Sequence, residues 1–96
     1  MQRRNSETIG DVLRAFIKES NLESKIFEQK ILLAWPEVLG DEIASYTSRL
    51  QIRQRTLYVS LTSAVLRNEL MMCRSQLIRS LNQKVGAEVI QQIIFR

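Results

Sequence analysis

Apolar residues recur at helical spacing in the first part of the chain. The spacing i, i+3, i+4, i+7, i+8 defines one face of a helix and predicts a first helix from about residue 7 to 20. Thr8 and Asp11 resemble a capping box at its start, and Asn21 suits its end. The residues of this face are Ile9, Val12, Leu13, Phe16 and Ile17.

A second apolar series follows almost at once and ends at Pro36. Proline disfavours helical geometry in the residue before it, so we expect the second helix to end there and a short helix to begin at Pro36. Gly40 either allows another backbone segment to approach closely or divides this segment in two. The first two helices should form a hairpin. The second series comprises Leu22, Ile26, Ile31, Leu32 and Trp35, of which Trp35 is expected in the core.

The period changes from 3.6 to 2 after Thr47. Residues 49–53 and 57–61 alternate between apolar and polar side chains, which predicts two half-buried strands. Arg53-Gln54-Arg55 is left as the turn, although it lacks the Gly or Asn that a tight hairpin favours. Residues 89–96 are rich in β-branched side chains and predict a last strand whose inward face the pattern does not fix.

One long helix is expected between the second and third strands. Thr62 or Ser63 supplies its cap, and Gly86 ends it. Its core stripe comprises Leu66, Leu70, Cys73, Leu77 and Leu81. A strand, a crossover helix and a strand place the outer two strands parallel, whereas the preceding hairpin is antiparallel.

The predicted fold class is therefore α+β, with N-terminal helices and one long helix packed on a three-stranded mixed sheet. Residues 1–96 should form a single domain in which residues 1–7 are flexible. The helices cover one face of the sheet, so the polar side chains of the hairpin strands should face solvent on the other.

Composition removes several classes of chemistry. The 96 residues include no histidine and one cysteine, Cys73, so zinc sites, disulfides and histidine-based catalysis are not expected. No nucleotide-binding or hydrolase motif is present. We expect no catalytic residue, no cofactor and no metal. The longest apolar run, residues 31–35, is too short for a membrane span or a secretory signal, which favours a cytoplasmic protein.

The two halves of the chain carry opposite charge. Residues 1–48 hold six Lys and Arg against eight Asp and Glu, a net charge of −2. Residues 49–96 hold eight against two, a net charge of +6, and seven of those eight cations are arginine. Arginine forms bidentate contacts with phosphate and stacks on bases, so the second half is the candidate surface for an anionic partner.

The candidate nucleic-acid-binding residues lie on the outer side of the hairpin and along the long helix. Tyr58, among arginines on an open sheet face, is suited to stacking on a base, although sheet propensity alone also explains an exposed tyrosine. The candidates are Arg49, Arg53, Arg55, Tyr58, Arg67 and Arg74. The competing hypothesis is a protein-interaction adaptor that docks through its acidic helical half, with the arginines serving solubility.

Three segments in a fixed order resemble the DciA-related family of bacterial proteins. They are Trp35-Pro36-Glu37-Val38-Leu39-Gly40-Asp41-Glu42-Ile43-Ala44, then Leu57-Tyr58-Val59-Ser60-Leu61, then Leu66-Arg67-Asn68-Glu69-Leu70 with Leu81-Asn82, Gly86 and Ile90. The resemblance covers the chain from about residue 8 onward. It implies a KH-like fold, DNA binding, and a role in loading the replicative helicase, which would then be a partner. Together with the candidate residues above, it gives the leading hypothesis of a non-enzymatic accessory domain of DNA replication that binds single-stranded DNA or RNA.

The sequence departs from that family pattern in three places. It lacks the GxxG loop with which KH domains clamp a nucleic-acid backbone. Charge replaces the glycine often found in the family's hairpin turn, where this chain has Arg53-Gln54-Arg55. It also ends at Arg96, so we expect the disordered tail common in better studied members to be absent.

Overall fold

A computed structural model describes residues 8–19 and 22–96 of the chain. The predicted flexibility of residues 1–7 and the predicted helix end at Asn21 lie outside the described residues. The elements in chain order are α1 (Ile9–Glu19), α2 (Leu22–Leu39), α3 (Asp41–Ser45), β1 (Thr47–Arg53), β2 (Thr56–Leu61), α4 (Ala64–Met72), α5 (Arg74–Val85) and β3 (Gln92–Phe95). This arrangement confirms the predicted α+β class.

Helix α1 begins with the predicted capping box. The Asp11 amide donates to the Thr8 hydroxyl at 3.1 Å, and the Thr8 amide donates to the Asp11 carboxylate at 3.2 Å. The Arg14 guanidinium and Thr8 both donate to this carboxylate and hold the pKa of Asp11 below its usual range. On the apolar face of α1, Ile9 and Leu13 are 82% and 55% exposed.

Helix α2 continues through Pro36, so the predicted helix boundary at this residue is wrong. Proline has no N–H to donate to the preceding turn, a loss that ordinarily costs a helix about 3 kcal/mol. Trp35 and Ala34 are buried just before Pro36, and Val38 packs against the same core just after it, so packing on both sides keeps the helix continuous. The helix ends at Gly40, whose φ of 93° suits glycine, and this residue divides the segment in two.

The three strands form the predicted mixed sheet in the order β1-β2-β3. Strand β2 is antiparallel to β1 and parallel to β3. Arg53 pairs with Thr56, so it belongs to β1 and the turn is shorter than the predicted three residues. Gln54 and Arg55 form this two-residue turn with φ of 49° and 61°. Positive φ at both central residues gives the turn a twist that matches the right-handed twist of the two strands it joins.

The single long helix predicted after β2 is wrong, because the chain forms two helices that meet at Cys73. Ser63 caps the first through its hydroxyl, and Gly86 ends the second with φ 80°. At Cys73 the backbone leaves helical geometry, with φ −115° and ψ 27°. The apolar stripe keeps its helical spacing through this junction, and no Gly or Pro marks it, so the periodicity gave no sign of the break.

The core lies between the inner face of the sheet and helices α2, α4 and α5. It confirms the prediction that the leucines of the crossover pack against β2, although Leu66 is half-buried. Trp35, 1% exposed, donates from Nε1 to the Thr47 hydroxyl at 3.0 Å and so links α2 to β1. The buried residues are Ile31, Ala34, Trp35, Leu57, Val59, Leu61, Leu70, Leu77, Leu81, Ile90 and Ile93.

Candidate nucleic-acid interface

The sheet face opposite the helices carries polar and cationic side chains from all three strands. Strand pairing fixes this face, because paired residues share it and neighbours along a strand alternate. Arg49 pairs with Ser60, and Gln51 pairs with Tyr58. Tyr58 also pairs with Ile94 on β3. We call the face formed by Arg49, Gln51, Arg53, Tyr58, Ser60, Ile94 and Arg96 the open face.

The open face is positively charged. The three strands contain no Asp or Glu. Arg49, Arg53 and Arg96 are exposed, and in the part of the chain that the structure describes none of them belongs to an ion pair. Guanidinium groups without carboxylate partners keep their donors for an external anion.

Arg96 was not among the predicted site residues, yet it contacts Tyr58. Its guanidinium carbon lies 4.7 Å from the centre of the Tyr58 ring, within the range of a cation–π interaction. The Arg96 amide donates to the Val59 carbonyl at 2.8 Å, and the Arg96 carbonyl accepts from the Leu61 amide at 3.0 Å. The sequence pattern left the inward face of the last strand open, so it could not place Arg96; the parallel register with β2 settles it.

Arg55, which was also predicted as a site residue, binds Glu88 in the segment before β3. Its guanidinium donates to the Glu88 carbonyl at 2.6 Å and lies 3.7 Å from the Glu88 carboxylate. The Arg55 carbonyl also accepts from the Gln91 amide at 2.8 Å. Arg55 therefore ties the hairpin turn to the segment that leads into β3.

Arg67 and Arg74 belong to the helical layer. Arg67 lies on α4, and Arg74 begins α5, the two helices whose leucines pack on the inner face of the sheet. Both arginines are half-buried. Arg74 lies beside Arg79 and the exposed Met72 at the junction of α4 and α5. The structure thus groups Arg49, Arg53 and Tyr58 on one face and places the two helical arginines on the opposite layer.

Comparison with known proteins identifies the family. The family model described as "Dna[CI] antecedent, DciA" matches residues 8–95, and the chain belongs to the DciA family. The chain is 27% identical over 90 residues to a UPF0232 protein of Rhodococcus jostii (strain RHA1), covering 94% of this chain and 48% of that protein. It is 26% identical over 90 residues to a UPF0232 protein of Corynebacterium glutamicum (strain R), covering 94% and 51%. The chain therefore spans about half the length of these curated relatives.

The DciA family is an accessory family of the helicase-loader type. Among the helices in the described part of the chain, none combines the length and the apolar character needed to cross a membrane.

Proposed function

We propose that this domain binds single-stranded nucleic acid, without catalysis, through the open face of its sheet. The observation that carries the proposal is the combination of Arg49, Arg53 and Tyr58, on strands that contain no acid, with Arg96 directly after β3. Proteins that bind single strands combine a positive surface along the backbone with aromatic side chains on which bases stack. The open face supplies the positive surface and, in Tyr58, an aromatic ring.

The geometry favours unpaired strands over duplex. An α-helix or a two-stranded ribbon enters the major groove of B-DNA, whereas the open face is one side of a three-stranded sheet. A splayed single strand presents both its phosphates and the faces of its bases to such a surface. Phosphate contacts give affinity without sequence preference, so binding to DNA and to RNA follows from the same residues.

We further propose that the domain acts in DNA replication as an accessory to the replicative helicase, in the cytoplasm. Family membership supports this role. The exposed apolar side chains of α1, among them Ile9 and Leu13, offer a surface for a protein partner on the N-terminal helical half. Nucleic acid and helicase would then contact different parts of the same domain.

The proposal predicts that Arg49→Ala and Arg53→Ala each weaken binding to labelled single-stranded oligonucleotides of every sequence. Each variant should also make the dependence of log K on log salt shallower, by about 0.7 for each phosphate that the variant no longer neutralises. Fluorescence anisotropy across a salt series, at constant temperature and pH, measures both effects. A helicase pull-down at low salt with the same variants should be unchanged.

The matched control is Lys25→Glu, a change at an exposed cation on helix α2. Its charge reversal is a larger electrostatic change than loss of one arginine, yet it should do little. Equal weakening by Lys25→Glu and by the arginine variants would show a diffuse attraction and remove the localised site. Absence of salt-dependent binding by the wild-type protein would rule out nucleic-acid binding and would favour the protein-interaction adaptor.

A further inference from the structure

The sheet fixes the backbone positions of both Arg96 and Tyr58. Both backbone polar groups of Arg96 are bonded to β2, with its amide on Val59 and its carbonyl on Leu61. Tyr58 lies within the same strand, β2, one residue before Val59. The side chains therefore start from two backbone positions that the sheet holds in register, and the guanidinium lies 4.7 Å from the ring centre.

This contact changes how a base can meet the open face. A guanidinium over an aromatic ring covers one face of that ring. A base that stacked there would have to displace the cation from an attractive contact. The planar guanidinium, in contrast, still offers its outer side, and arginine stacks on flat π-systems while its edge donates to phosphate.

Building on the proposed function, we propose that the nucleobase stacks on the guanidinium of Arg96, and that Tyr58 is the positioning residue beneath it. Arg96 then supplies the stacking surface and one cationic contact together. Tyr58 acts through Arg96 by holding its guanidinium over the ring. Because every base has a π-face, the contact tolerates any sequence.

The test is a double-mutant cycle on Arg96 and Tyr58, read out by anisotropy with an oligothymidylate across a salt series. Arg96→Ala should weaken binding about 5- to 150-fold, the range of one stacked base, and should lower the salt slope by about 0.7. Tyr58→Ala should weaken binding in the same range, and the double variant should be no weaker than Arg96→Ala alone. Independent, multiplicative losses would overturn the proposal, because the base would then contact Tyr58 directly.

Two conservative variants separate positioning from direct contact. Tyr58→Phe keeps a ring for the guanidinium and should bind as the wild type does. Arg96→Lys keeps the charge without the flat surface. Its salt slope should therefore equal that of the wild type, while its affinity should stay close to that of Arg96→Ala. Restoration of full affinity by lysine would overturn the stacking role. Because the sheet holds Arg96 through its backbone, both variants should retain the wild-type circular dichroism spectrum.

An NMR measurement on the same proteins distinguishes failure of this inference from failure of the proposed function. The ring current of Tyr58 should shift the δ-protons of Arg96 upfield in the free protein, equally in Tyr58→Phe and not in Tyr58→Ala. The shift should persist when the oligonucleotide is added. Its loss on binding would show that a base replaces Arg96 and would overturn this inference alone. A wild-type protein that shows the shift but binds no single strand would overturn both.

Discussion

Replacing Trp35 by alanine is expected to lower the free energy of unfolding by about 3–5 kcal/mol. The side chain is 1% exposed and fills the space between α2 and the sheet, so truncation removes buried apolar surface and leaves a cavity. The Thr47 hydroxyl also loses the donor that links α2 to β1. Domains of this size have a total stability of about 5–15 kcal/mol, so the variant should be partly unfolded at growth temperature.

Urea denaturation followed by far-UV circular dichroism measures this effect, since Trp35 is the one tryptophan of the chain and the variant has no indole fluorescence. The matched control is Leu33→Ala on the same helix. Leu33 is 61% exposed, and its truncation should change stability by no more than about 0.5 kcal/mol. Similar losses for the two variants would contradict the position of α2 against the sheet.

The second large effect is expected at Asn82, a residue of α5 that holds the segment before β3. Its side-chain carbonyl accepts from the amides of Val89 and Ile90, each at 3.0 Å, and its amide donates to the Ile90 carbonyl at 2.9 Å. Asn82→Ala leaves the amide and the carbonyl of the fully buried Ile90 without these partners, whereas the Val89 amide still donates to the Ala87 carbonyl at 3.0 Å. With about 1–3 kcal/mol for each buried polar group left unpaired, and partial rescue by water, we expect a loss of roughly 3 kcal/mol.

Hydrogen exchange at Val89 and Ile90, together with urea denaturation, checks this prediction. Asn82→Asp keeps the two acceptor bonds and loses the donor, so it should lie between the wild type and Asn82→Ala. The neighbouring Gln83 is exposed, and Gln83→Ala should leave the exchange of both amides unchanged. Unaltered protection of Val89 and Ile90 in Asn82→Ala would show that the segment is held by other contacts.

Alternation and helical spacing predicted the sheet and most helices because both record which side chains face the core. The same patterns failed where packing overrides a local rule. Pro36 lies inside a helix whose buried residues flank it on both sides. Conversely, nothing in the sequence around Cys73 breaks a helix, yet the helix is interrupted there, while Leu70 before the break and Leu77 after it are both buried.

The candidate site was predicted in part, for a similar reason. The alternation of β1 and β2 fixes which side chains share a face, so it placed Arg49, Arg53 and Tyr58 together. The positions of Arg55 and Arg96 depend on long-range contacts that the alternation does not record. Arg55 reaches Glu88, which lies 33 residues away, and Arg96 reaches Tyr58 only through the parallel pairing of β2 with β3.

Binding of single-stranded nucleic acid to the open face can be followed by an NMR titration of the arginine Nε–H groups and the Tyr58 ring with an oligothymidylate. These signals report on side chains, so they distinguish the open face from the helical layer. Saturable shifts are expected at Arg49, Arg53, Arg96 and Tyr58, with Arg67 and Arg74 little changed. Shifts confined to Arg67 and Arg74, or no shift at any of these residues, would contradict binding at the open face.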